Sequence, residues 1–197
     1  MSTATAIQKK VSKPMPAPRK KPKKISWKAF QKEYLTREDG YKYEWLNGIV
    51  EKTKRTMDYS QAYILINIRN FFDKYKKKHN VSGHLISEID TFFAAHHRRP
   101  DIAYFTDAQI RKAKEGEAPV PQFIIEVISK NDMINTVNKK MEDYRKAGVP
   151  VVWHVLPKFK KVHVYHGTEM KIFGEGEKVS AAPVLPDFEM EVSAIFK

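Results

Sequence analysis

Apolar residues recur along this chain in two periods, one of 3.6 and one of 2, and both begin only at Ser26. Ser26 suits a helix N-cap, and Trp27, Phe30 and Tyr34 fall on one face of a short helix that Arg37-Glu38-Asp39-Gly40 then breaks. Two alternating segments, 41–46 and 49–52, flank Asn47-Gly48, the pair that accepts the positive dihedrals of a type I′ turn, so a hairpin is expected. Asp58 can cap a longer helix. Its Ile64, Ile68, Phe71, Phe72 and Tyr75 recur at helical spacing, and it ends near residues 76–80 with lysines in its last turn.

Strands are predicted at 84–89, 91–94 and 102–105. Residues 122–128 form an apolar run interrupted by the single acid Glu126, the pattern of a buried central strand. Residues 132–147 have helical texture, with Met133, Val137, Met141 and Tyr144 on one face and Gly148 at the C′ position. A strand over 149–156, a hairpin over 160–165 and 170–173, and a short strand or closing helix over 187–196 complete the chain. Together these elements predict an α+β (α/β) domain: a mixed central β-sheet flanked by α-helices, with an N-terminal helix and hairpin. No internal repeat is visible, and neither a dinucleotide-binding glycine fingerprint nor a P-loop occurs.

Length and charge narrow the picture. The 197 residues suffice for one self-sufficient core. The net charge of +13 points toward a polyanion until it is mapped. Lys9, Lys10, Lys13, Arg19, Lys20, Lys21, Lys23 and Lys24 lie in residues 1–24 without one acid, and removing those eight from 36 basic residues leaves 28 against 23 acids. The expected organisation is a disordered, basic, Pro/Lys-rich tail over 1–24 and a single domain over 25–197. The tail suits either an arm on nucleic-acid phosphates or a solubilising extension. The absence of cysteine excludes disulfides, thiol nucleophiles, cysteine zinc sites and iron-sulfur clusters. No apolar run is long enough for a membrane span and no secretory leader is visible, so a soluble, cytoplasmic protein with no membrane partner is expected.

The chemistry lies with acids that should not be buried. Asp101 opens a strand behind Pro100, and Glu126 sits among Phe123, Ile124, Ile125, Val127 and Ile128, where an isolated carboxylate would cost on the order of several kcal/mol. Glu126 therefore needs a structural Arg or Lys, a second carboxylate sharing a proton, or a cation. Two carboxylates on adjacent strand ends with a lysine nearby form a hard oxygen site suited to Mg²⁺, with Mn²⁺ as a substitute, and phosphodiester hydrolysis is the matching chemistry. None of the seven histidines shows ligand-pair spacing. His96-His97-Arg98-Arg99 reads as a basic loop, with Arg98 and Arg99 facing phosphate.

Pro100-Asp101 followed by Glu126-Val-Ile-Ser129 resembles the PD-(D/E)XK nuclease superfamily. With Glu44-Trp-Leu-Asn-Gly-Ile-Val-Glu51, Arg99-Pro-Asp-Ile-Ala-Tyr-Phe105, Lys140 with Tyr144, Ala147-Gly-Val149 and Val152-Trp-His-Val155, the chain more narrowly resembles the Uma family of restriction endonuclease-like proteins over residues 26–196. The resemblance implies a restriction endonuclease-like fold and a metal held by Asp101 and Glu126, with the Val127 backbone carbonyl as a further ligand. The superfamily's usual lysine, two residues after the glutamate, is replaced by Ile128. The Uma pattern places a lysine on the following helix, at Lys140, with Lys139 as its neighbouring competitor. Glu44 matches the acid of the first motif, and Glu88 is a spare. Family members often carry a histidine where this chain has Ser60-Gln61.

The resulting expectation is a Mg²⁺-dependent endonuclease acting on DNA, with RNA open, in which Glu44, Asp101, Glu126 and Lys140 are catalytic. Arg98, Arg99, Lys20, Lys21, Lys23 and Lys24 would hold nucleic acid, and the enzyme would be a homodimer if two symmetric sites cut a duplex. The alternative is a catalytically inactive nucleic-acid-binding protein that retains the fold, motivated by Ile128.

Overall fold

A computed structural model of the chain describes residues 23–54, 59–93, 95–130 and 132–197. Most of the tail, including Lys20 and Lys21, and the expected cap Asp58 lie outside the described residues.

Helix α1 (Trp27–Phe30) is capped by Ser26, whose hydroxyl oxygen accepts from the Ala29 N–H at 3.2 Å, and runs on as a π-helical turn, Gln31–Leu35. Trp27, Phe30 and Tyr34 form a stacked aromatic ladder along it. Strands β1 (Tyr41–Leu46) and β2 (Ile49–Lys54) make the expected antiparallel hairpin, with Asn47 at φ 47° and Gly48 at φ 93° taking the left-handed conformations of its turn. Helix α2 (Tyr59–His79) follows, then β3 (His84–Ser87), β4 (Thr91–Phe93), β5 (His96–Arg98), β6 (Ile102–Phe105), α3 (Asp107–Lys114), β7 (Phe123–Val127) and α4 (Ile134–Lys146). The chain closes with β8 (Val151–Leu156), β9 (Lys161–His166), β10 (Glu169–Phe173), β11 (Lys178–Ser180), β12 (Glu189–Glu191) and α5 (Val192–Ile195). The ambiguity over 187–196 resolves as both a strand and a helix.

The main sheet has the order β10-β9-β8-β7-β6-β3, and its one parallel pair is β7 with β8, joined through α4. A second sheet, β2-β1-β5-β4, stands beside it, and β11 pairs with β12. Strand alternation divides the core. Phe123, Ile125, Val127, Trp153 and Val155 pack with Ile64, Leu65, Ile68, Phe72 and Tyr75 of α2, while Ala103, Phe105, Ile124 and Val152 pack with Tyr144 of α4. Glu126, two residues on from Ile124, therefore belongs to the face that α4 covers. The helical face expected of α4 is only partly buried: Tyr144 is sealed, but Met133, at the N-cap, is 69% exposed. No helix among the described residues is long and apolar enough to cross a membrane.

Gly83 leads into β3 at φ +107°, and a Cβ there would stand 2.7 Å from the Phe105 carbonyl oxygen and from the Tyr104 hydroxyl. Both the dihedral and the contact oppose a side chain. Gly83→Ala is expected to lower the unfolding free energy by about 1–3 kcal/mol, read as a reduced urea midpoint with an unchanged slope.

Candidate active site

Sheet register assembles the acids. Ile102 pairs with Ile125 in the antiparallel β6–β7 ladder, which carries Asp101 to the position across from Glu126. Glu126 in turn pairs with His154 in the parallel β7–β8 ladder. Asp101 Oδ2 accepts the Val127 N–H at 2.8 Å, and its Oδ1 lies 3.5 Å from Lys42 Nζ. Glu126 is 4% exposed, its two carboxylate oxygens are each 3.3 Å from Lys140 Nζ, and the Tyr144 hydroxyl donates to Oε1. Lys140 and Tyr144 are one helical turn apart on α4, so one face delivers both. Lys140 Nζ also lies 3.8 Å from Glu44 Oε1. A lysine ammonium thus stands beside Glu126 from the helix rather than from position 128, while Lys139 turns away to Glu51 at 2.9 Å.

Behind these groups Arg98 is completely buried. Its guanidinium donates to Asp143 at 2.9 and 2.6 Å, to Glu44 Oε2 at 2.9 Å and to Glu51 at 3.1 Å. Glu44 Oε1 also accepts the Arg99 N–H at 2.9 Å, so both of its oxygens are fixed. His96 reaches Asp143 at 2.8 Å, and His97 and the Arg99 side chain share Asp90. The expected phosphate-facing basic loop is therefore corrected. Residues 96–98 are strand β5, paired on both sides, and Arg98 points inward, where three carboxylates replace the water its guanidinium gives up. Arg99 is likewise committed within the fold, to the half-buried Asp90 carboxylate. Lys23 and Lys24 are exposed, with Lys24 lying against the hairpin turn at Gly48, and neither lines the cleft described next.

A cleft of about 590 Å³ contains Glu44, Asp101, Glu126, Val127, Lys140 and Lys42, and its wall includes Lys52, Thr53, Lys54 and His154. Gln61, which stands near the position of the family's histidine, also lines it, as does Glu88. Five of these, Lys42, Lys52, Thr53, Lys54 and His154, are not expected at the site from sequence. In the β1–β2 ladder Lys42 pairs with Thr53 and Glu44 with Glu51, so Lys52 and Lys54 lie on the other face of β2, Lys52 with its ammonium 3.7 Å from the Tyr41 ring centroid.

The cleft's charges are mutually dependent. Burial works against ionised Glu44, yet Lys140, Lys42 and Arg98 outweigh it and hold the carboxyl down at about 2. For Glu126 burial prevails: its carboxyl is raised above the ordinary range, the Asp101 carboxylate adding to the effect and the Lys140 ammonium opposing it. Lys140 itself is buried, which favours its neutral form, but Glu126, Glu44 and Asp101 raise its pKa, and it is a protonated ammonium. No three or more His, Cys, Asp or Glu side chains among the described residues gather into a protein-only metal cage. The donor set instead offers two neighbouring carboxylates at an open cleft, which fits a hard divalent ion that draws its other ligands from water and phosphate.

Arg98→Ala is expected to destabilise the fold by about 3–5 kcal/mol, because Glu44 and Asp143 would stay buried without the guanidinium that bridges them. Chemical denaturation measures it. The pH dependence has a definite sign. A carboxyl held below its ordinary value contributes stability that is complete above that value and is lost as it protonates. Thermal stability should therefore fall between about pH 4.5 and pH 2, and Glu44→Gln should show a shallower fall across that window.

A crystal structure described as a putative nuclease belonging to DUF820, from Anabaena variabilis, superimposes with a TM-score of 0.73 at 20% identity, covering 87% of this chain and 97% of that one. At that identity the likeness establishes the fold. No curated protein matches the chain. The model of the Uma2 family, described as "Putative restriction endonuclease", matches residues 27–193. With that match spanning well over half of the chain, the chain belongs to the Uma2 family of restriction endonuclease-like proteins.

Proposed function

We propose that this protein is a Mg²⁺-dependent endonuclease, with Mn²⁺ able to substitute, that hydrolyses phosphodiester bonds of DNA. The observation that carries this reading is the convergence of Asp101, Glu126 and the Lys140 ammonium on one open cleft. Family membership supports nuclease chemistry, and the preference for DNA rests on that membership.

Asp101 and Glu126 would hold the ion, with the Val127 carbonyl as a further ligand. The ion would polarise a phosphoryl oxygen and lower the pKa of a bound water. Lys140 keeps its proton beside these carboxylates, so its role is to orient the attacking water and to balance negative charge building on the phosphoryl group. Glu44, ionised and fixed by Arg98 and the Arg99 N–H, holds that ammonium in place. Tyr144 donates to Glu126 from behind and sets the carboxylate's orientation. Lys42, whose ammonium stands in the cleft beside Asp101, would supply a phosphate contact that Arg98 and Arg99 do not. A homodimer with two such sites would cut both strands of a duplex.

One observation favours a second reading. Lys140 and Lys42 already neutralise Glu126 and Asp101, as they would in an inactive nucleic-acid-binding protein. Nicking of supercoiled DNA by the purified protein separates the two. The nuclease should cleave with Mg²⁺ or Mn²⁺. Asp101→Asn and Lys140→Met should each reduce cleavage by about 10²-fold or more while DNA binding survives. Equal cleavage by Asp101→Asn would sink the assignment. Salt-sensitive binding without cleavage under any divalent ion would establish the second reading.

A further inference from the structure

His154 is a buried imidazole that no contact of the fold accounts for. It is 3% exposed, lies in the cleft wall and stands directly beside Glu126 on the neighbouring parallel strand. Its ring packs edge-on against Tyr165, with centroids 4.7 Å apart. Its Nε2 is sealed from solvent and has no hydrogen-bond partner among the described residues. A phenylalanine would fill the same slot against Tyr165 without leaving a polar atom unsatisfied, so packing alone does not explain a histidine here. His97 also has a sealed nitrogen without a partner, Nδ1, but its Nε2 is held by Asp90 and the residue does not line the cleft, whereas no carboxylate holds His154 and it does.

Resting on the nuclease reading above, we infer that His154 is a substrate contact, donating an imidazole N–H to a phosphate oxygen of the nucleic acid in the cleft. Burial, with His163 and Lys140 nearby, keeps the ring neutral, which leaves one nitrogen as an N–H donor without adding charge beside Lys140. A half-turn about the Cβ–Cγ bond would exchange Nε2 with Cε1 and Nδ1 with Cδ2, and this is the movement by which a nitrogen edge would reach a ligand in the cleft that the residue lines. The missing hydrogen bond is then completed by the ligand, and the unsatisfied atom of the free protein becomes part of recognition. The contact lies on the side of Glu126 opposite Asp101, because β7 separates β6 from β8 in the sheet. His154 would therefore grip phosphate beside the metal-holding pair without belonging to it.

The test compares wild type, His154→Phe and His154→Gln. Thermal denaturation is read together with binding of a labelled DNA duplex, with Ca²⁺ in place of Mg²⁺, and with kcat and KM for cleavage in Mg²⁺. His154→Phe should be at least as stable as wild type yet bind the duplex roughly tenfold to hundredfold more weakly, the size of one hydrogen bond to a charged acceptor. The loss should appear mainly in KM, and His154→Gln should recover part of it. Wild-type affinity in His154→Phe would overturn the inference while leaving the nuclease reading intact. So would a loss of binding that only parallels a loss of stability. If the folded wild-type protein neither binds nor cleaves DNA, the nuclease reading fails and this contact falls with it.

Discussion

The structure is organised around one buried guanidinium. Arg98 comes from β5, and the carboxylates that solvate it come from β1, β2 and α4, so a single side chain ties the small sheet to the helix that crosses the large one. Its position fixes two things at once. Glu44 is locked with both oxygens occupied, and Asp143 anchors α4 in the rotation that turns Lys140 and Tyr144 toward Glu126. A buried ion network of this kind is a poor way to gain stability compared with apolar packing. What it provides here is orientation, since Glu44 also borders the cleft and α4 carries both Asp143 and Lys140.

The cleft's electrostatics follow from that arrangement. Glu44 and Glu126 are both buried, but one is surrounded by cations and the other shares its neighbourhood with Asp101, so their carboxyls move in opposite directions from the same ordinary value. Lys140 stands between them and is held protonated by both. A site that keeps an ammonium and two neighbouring carboxylates together in one open cleft is suited to a substrate whose charge changes during reaction, as a phosphodiester's does.

Much of this was legible in the chain. Asn47-Gly48 specified its hairpin because few residues tolerate two successive left-handed dihedrals, and the chain adopts them. Glu126 was conspicuous because a strand of Phe, Ile, Ile and Val has no apolar reason to contain an acid. Lys140 and Tyr144 could be placed on one face by spacing and then joined to Glu126 by family resemblance. Arg98 was misread for an equally physical reason. In sequence, His96-His97-Arg98-Arg99 is indistinguishable from a solvated basic loop, since the three acids that neutralise Arg98 lie 45 to 54 residues away. His154 was hidden differently, as one polar residue in an apolar strand whose lack of a partner is visible only when its neighbours are present.

By itself the sequence determined the local elements, the concentration of excess charge in the first 24 residues and the identity of the two acids that needed company. These follow from periodicity, turn chemistry and the cost of burying charge, all of which act over a few residues. The tertiary structure alone decided which charges face one another. That decision depends on sheet register and helix rotation, which bring Asp101 across from Glu126 and Asp143 onto Arg98. Coulombic and hydrogen-bonding terms fall off over a few ångströms, so a chain position says little about them until folding sets the distances.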